Sequence, residues 1–301
     1  MTNTLLHALV LLLLPPLLLG VIVKTRALFA GRVGAPVLQV YFDLAKLLRK
    51  DMVISRTTTW VFLAGPAVAL VTTLAAGLLL PLGGRAPVHF AGDLILFAYL
   101  LALGRFFTAL AALDTGSAFE GMGAAREITF ACLAEPALFL GLLTLVRLTG
   151  STELSELFGS RVLDGWAALT PGMVLLLSGL FIVALVENCR IPFDDPGTHL
   201  ELTMIHEVMV LDHSGPALAA ILYGAALKLL LLGSLVVRLA VPVLPNGNLA
   251  WGIFLAAMLA FAVLVGVVES VMARLRLTYV PNLLLGAGLL TGFGLVFVFL
   301  E

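Results

Sequence analysis

This sequence predicts an all-α fold: a polytopic membrane bundle of about eight transmembrane helices, with one amphipathic helix on the cytoplasmic side. Hydrophobic residues fill 61% of the 301 positions and charged residues only 12%, a balance that excludes an ordinary water-soluble domain. Apolar runs of about 20 residues, enough to cross a hydrocarbon core ~30 Å thick, recur from end to end. Between them no polar stretch is long enough to fold separately, so residues 1–301 read as a single integral membrane domain. In a bilayer the backbone must satisfy its hydrogen bonds internally, and helices do this segment by segment.

The first run, residues 4–23, has no basic stretch before it and no small-residue cleavage site after it. It reads as a retained span rather than a signal peptide. Residues Ala35–Lys50 are not a span. Val37, Tyr41, Leu44, Leu47 and Leu48 fall at helical spacing, and Gln39, Asp43, Lys46, Arg49 and Lys50 fill a polar face. That is the pattern of a helix on a membrane surface, resting in lipid or docking a soluble partner.

Runs at 58–80, 90–113, 126–148 and 168–188 come next, and the middle two are the weakest because they carry Asp93, Arg105, Glu127 and Glu135. The glycine-rich connection from Asp114 to Glu127 reads as a loop, with the next helix beginning at Arg126 and Glu127, where a carboxylate suits the helix dipole. It lacks the Gly-Lys-Ser/Thr ending of a phosphate-binding loop. Glu135 lies about two turns deeper and is expected to face the bundle interior or a wet cavity. Thr152–Ala167 reads as a short interfacial connection. The last runs are 216–240, 249–270 and 280–300; Lys228, near the middle of its run, needs a carboxylate partner or water.

Lys24, Arg26, Arg32, Lys46, Arg49, Lys50 and Arg56 crowd the first connection. The positive-inside rule then places that connection in the cytoplasm and both termini outside, in the cell inner membrane. Topology accounts for the basic residues, and a net charge of −1 gives no reason to expect nucleic acid. Cys132 and Cys189 stand far apart in sequence, with no CxxC pair. His199, His206 and His213 recur every seven residues, which on one helix sets them about two turns apart, too far for one ion. His206-Glu207 lacks the second histidine of a zinc-protease helix. Spacing therefore predicts no metal-ligating residue in this chain, and no catalytic or cofactor-binding residue is singled out.

The densest ionisable stretch runs from Glu187 through Arg190, Asp194, Asp195, Glu201 and Glu207 to Asp212. Charges near apolar spans are expensive, so these are expected to be paired or used. Gly31-Arg32-Val33-Gly34-Ala35-Pro36 with Gln39, Asp43 and Lys46, and Glu187-Asn188-Cys189-Arg190-Ile191-Pro192-Phe193-Asp194, resemble the quinone-site membrane subunit of respiratory complex I. Asp114-Thr115-Gly116, Gly121-Met122-Gly123, Arg126-Glu127 and Thr198-His199-Leu200-Glu201-Leu202-Thr203-Met204-Ile205-His206-Glu207 resemble more closely the membrane subunit of energy-converting (group 4) nickel–iron hydrogenases, the branch of formate hydrogenlyase subunit 4 and hydrogenase-4 component C.

The resemblance implies a non-catalytic subunit of an oxidoreductase complex. It implies a soluble module of hydrogenase large and small subunits and an iron–sulfur subunit, carrying the nickel–iron centre and iron–sulfur clusters, and antiporter-like membrane subunits as further partners. It also implies proton-handling roles for Glu127, Glu135, Glu187, Glu201 and Glu207, and docking or structural roles for Asp43, Lys46, Asp114, Arg126, Arg190, Asp194 and Asp195. Asp195, Gly197 and His199 stand where complex I has further acids, which counts against quinone reduction. A stand-alone secondary ion transporter is a third reading, and the two halves show no repeat to support it.

Overall fold

The structure is a computed structural model and describes residues 2–168, 170–194, 204–241 and 247–300. Eleven α-helices occupy the described residues: α1 Thr2–Phe29, α2 Gln39–Leu48, α3 Trp60–Leu79, α4 Asp93–Asp114, α5 Ala118–Thr149, α6 Leu154–Leu157, α7 Arg161–Ala168, α8 Thr170–Glu187, α9 Gly215–Ala240, α10 Gly247–Val271 and α11 Val280–Leu300. Seven are long and apolar enough to cross a membrane, and α8 adds the shorter apolar stretch Pro171–Glu187. The chain is a polytopic membrane bundle, as its composition predicts.

Sequence neighbours pair first, with α3 against α4, and the chain then closes on itself over long range. The last helix, α11, packs against α5 and α8, while α1 packs on α10 and α9. Leu18, Ile22, Leu142, Leu176, Leu230 and Val265 are among the fully buried residues of this core. Pro15 and Pro16 lie inside α1, and Pro136 inside α5. Membrane helices tolerate such prolines because neighbouring groups satisfy the freed carbonyls.

The amphipathic segment forms α2, with none of its residues buried. It is pinned to α1 at Gly20, where an added Cβ would stand 1.9 Å from the Val37 carbonyl oxygen, so only glycine allows this approach. The Tyr41 hydroxyl also donates to the Leu13 carbonyl. We call this end of the bundle the α2 end. It also holds the end of α4, the start of α5, the end of α8 and the start of α9.

Three sequence expectations are corrected here. The glycine-rich connection is helical from Ala118, so Glu120 sits in the first turn of α5 and Glu127 lies nine residues in, away from the helix terminus. Gly123 is helical because its missing side chain admits the 204–209 segment: an added Cβ would meet a Val208 methyl at 2.3 Å and the Ile205 carbonyl at 3.0 Å. Thr152–Ala167 is not a simple surface connection. Its helices α6 and α7 bury Leu154, Leu157 and Val162, and the Leu154 N–H donates to the buried Asp93 carboxylate at 2.7 Å. His206 and His213 do not share a helix: only a short 3₁₀ turn, Glu207–Val210, lies between them.

His213 closes the α2 end. Its ring stacks on Phe62 of α3, with centroids 4.0 Å apart, and keeps 6% exposure. Burial pushes its imidazole down to about 4. The unfolded chain takes up a proton near the ordinary histidine value of about 6.5, while the folded chain does not until about pH 4. The stability this neutral ring contributes is therefore present above pH 6.5 and lost as pH falls, by roughly 3 kcal/mol on reaching pH 4. Thermal unfolding of the detergent-solubilised chain from pH 7 to pH 4 should show this fall, and His213→Gln should flatten it. An unchanged slope in the variant would remove His213 as the cause.

Candidate functional site

Five charged side chains from four helices meet inside the α2 half of the bundle. Arg105 comes from α4, Glu127 and Glu135 from α5, Glu187 from the last turn of α8, and Lys228 from α9. The Arg105 guanidinium pairs with Glu135, lies 2.5 Å from Glu187 Oε2, and has its Nε 3.9 Å from Glu127 Oε1. Lys228 Nζ lies 2.8 Å from the same Glu187 oxygen. Glu187 is thus held between two cations, and Arg105 serves as a hub because its planar fork reaches several carboxylates at once. The Arg105 and Glu187 side chains are nearly inaccessible, whereas Glu135 keeps 40% exposure. Lys228 finds the carboxylate its depth requires.

Two cavities flank this network. One of about 90 Å³ is lined by Arg105, Glu127, Glu187 and Lys228 together with Thr73 and Thr108. A second, of about 260 Å³, opens among α1, α2 and α9, with Asp43, Arg190, Asp194 and Glu207 on its polar side. The two share a wall made by Asn188, Cys189 and His206. Two adjoining cavities of mixed polar and apolar lining therefore lead from beneath α2 toward the middle of the bundle.

That wall is the turn after α8. The Cys189 backbone has φ 50°, a left-handed conformation unusual for a non-glycine residue. The turn is locked by Arg190 N–H donating to the Leu185 carbonyl at 2.9 Å and by the packing of Phe193 on Phe130. It turns the Cys189 thiol toward α5, 4.0 Å from Glu127 Oε2. Burial pushes that thiol well above its ordinary range and lowers the His206 imidazole, so the first is a thiol and the second neutral near pH 7.

The remaining expected site residues take varied places. Asp43 accepts from the Gln39 side chain at 2.9 Å and lies exposed on α2, as does Lys46. Asp114 caps α3, accepting from Thr59 N–H at 2.7 Å, Thr59 hydroxyl at 2.8 Å and Phe62 N–H at 3.2 Å. Arg126 donates to the Met204 carbonyl at 3.0 Å. Arg190 lies 3.3 Å from Glu269, which also faces Arg26 at 3.4 Å. Asp194 is buried, 2.7 Å from Arg274, and accepts from Ile205 N–H at 3.1 Å. Asp195 and Glu201, with His199, lie outside the described residues.

Sequence reading missed Arg105 as an organiser, noting it only as a blemish in an apolar run. An arginine in mid-span was itself the signal, because such a charge must be paired. It also missed the approach of Cys189, His206 and Glu127, whose positions no local spacing connects.

The fold and this site define a polytopic membrane protein with a charged network of five side chains inside its helix bundle. A family described as NADH dehydrogenase matches residues 2–300. The chain is 36% identical over 279 residues to hydrogenase-4 component C of Escherichia coli (strain K12), covering 90% of this chain and 87% of that one. It is 34% identical over 305 residues to formate hydrogenlyase subunit 4 of the same organism, covering 98% and 95%. The chain therefore belongs to the NADH dehydrogenase family of membrane subunits, together with these hydrogenase-4 and formate hydrogenlyase relatives. A chain in the structure of the membrane-bound sulfane sulfur reductase, an archaeal respiratory membrane complex, has the same fold, with a TM-score of 0.85, 20% identity and coverage of 99% and 98%.

Proposed function

We propose that this chain is the non-catalytic membrane subunit that anchors a soluble nickel–iron hydrogenase module at its α2 end, facing the cytoplasm. In this reading it links that module's redox chemistry to ion-translocating membrane subunits. The observation that carries the reading is the chain of ion pairs from Lys228 through Glu187 and Arg105 to Glu135. It begins beside the two cavities and ends at a half-exposed carboxylate within a span. A lipid-facing carboxylate at that depth is expensive, so the open side of Glu135 suits coverage by a neighbouring membrane subunit. The exposed face of α2, with Asp43 and Lys46, suits contact with the soluble module.

Glu135 is the acid to which we assign proton transfer toward that neighbour. In membrane vesicles, Glu135→Gln should leave subunit content unchanged while lowering hydrogen production or coupled proton uptake at least about tenfold. Wild-type uptake in a fully assembled variant would end the proposal. Gentle purification should bring down a nickel–iron large subunit with the chain. One feature favours a second reading, a quinone-site subunit of the complex I type: the 260 Å³ cavity beneath α2 has mixed polar and apolar walls. Turnover blocked by quinone-site ligands would favour it, and insensitivity would favour the hydrogenase reading.

A further inference from the structure

We infer that Glu127, Cys189 and His206 form a binding site for one divalent transition-metal ion of the zinc class. Their ligand atoms, a carboxylate oxygen, a thiol sulfur and an imidazole nitrogen, all lie within 4.8 Å of one another, although they come from α5, the turn after α8 and the segment before α9. Zinc takes this donor set, with ligand distances of about 2.0–2.3 Å, so closure around an ion needs side-chain movements of about 1 Å. Three protein ligands leave a fourth position open, and the 90 Å³ cavity beside them has room for a water there.

Charge supplies an independent reason. Among the described groups of the network, two cations, Arg105 and Lys228, face three carboxylates, Glu127, Glu135 and Glu187. Glu187 is closely paired with both cations, and Glu135 with Arg105. Glu127 is the excess acid, 3.9 Å from the guanidinium, and it is the one turned toward Cys189 and His206. A divalent ion held by the Glu127 carboxylate and the Cys189 thiolate, whose proton leaves to the buffer, makes the whole cluster electrically neutral. In a low-dielectric bundle that removes the cost of an uncompensated charge. The left-handed backbone at Cys189 fits the same role, since such conformations persist where surrounding structure fixes a side chain for a ligand.

The donors are linked only through the tertiary fold, which is why spacing alone argued against a metal. The inference does not depend on the proton-transfer role of Glu135. It is tested on the full chain purified without partner subunits, stripped of metal and titrated with Co²⁺. One cobalt per chain should bind, with a thiolate-to-cobalt charge-transfer band that Zn²⁺ displaces. Cys189→Ser should abolish the band, and Glu127→Gln and His206→Ala should each weaken binding at least about tenfold. Cys132→Ser should keep the band, because Cys132 is exposed and stands apart from the cluster. If the Cys189 variant fails to fold, Zn²⁺ should still protect Cys189 from a thiol reagent in the Cys132→Ser background. No band in the folded wild-type chain, a band that depends on Cys132, or no protection by Zn²⁺ would overturn the site.

Discussion

Arg105→Ala should cost more stability than any other single change in the network, about 3–5 kcal/mol. Breaking a buried ion pair leaves the partner's charge uncompensated, and this arginine serves three partners. Glu187 would keep Lys228, but Glu127 and Glu135 would lose the cation that holds them. Arg105→Lys should fall between wild type and alanine, because an ammonium is a point charge and cannot present the fork that reaches carboxylates on α5 and α8 together. Adding Glu135→Gln to Arg105→Ala should recover part of the loss by removing one orphaned charge. The checks are thermal unfolding in detergent and the amount of chain retained in membranes. Equal stability of the wild-type and alanine chains would mean that the network does not hold the four helices together.

Asp194→Ala should be the next most damaging, about 3 kcal/mol or more, and its effect should be local. Asp194 is 3% exposed; one oxygen pairs with Arg274 and the other accepts the Ile205 N–H. Removing the carboxylate takes a partner from the partly exposed Arg274 and leaves the buried Ile205 N–H unmet. Asp194→Asn retains an acceptor for Ile205 and should lose about half as much. Amide exchange should quicken across Met204–Val210 and the turn 188–194, while α1 and α10 stay protected. Uniform loss of protection would show that Asp194 supports the whole bundle. The resemblance allowed Asp194 a docking or a structural role. The carboxylate is buried, pairs with Arg274 and accepts the Ile205 N–H.

The spans were legible because a bilayer imposes a length and an apolar composition that few other environments demand. The amphipathic segment around Tyr41 and Asp43 was legible from period alone, and α2 lies within its expected bounds. The start of α5 was not legible. Gly121 and Gly123 carry a turn signal, and only the contact of Gly123 with Val208 and Ile205 shows that its missing side chain serves packing within a helix. Lys228 announced that it needed a carboxylate, but not that the carboxylate would be Glu187, forty-one positions earlier.

By itself the sequence determined the membrane class, the order and approximate limits of the spans, and which stretch concentrates ionisable groups. These follow from local composition, which acts on each segment separately. The tertiary structure decided which charges neutralise one another, that Arg105 is shared among Glu127, Glu135 and Glu187, and that Cys189 and His206 meet Glu127. Those outcomes depend on how helices distant in sequence pack and rotate against each other. Electrostatic energy depends on separations of a few ångströms that no spacing along the chain encodes.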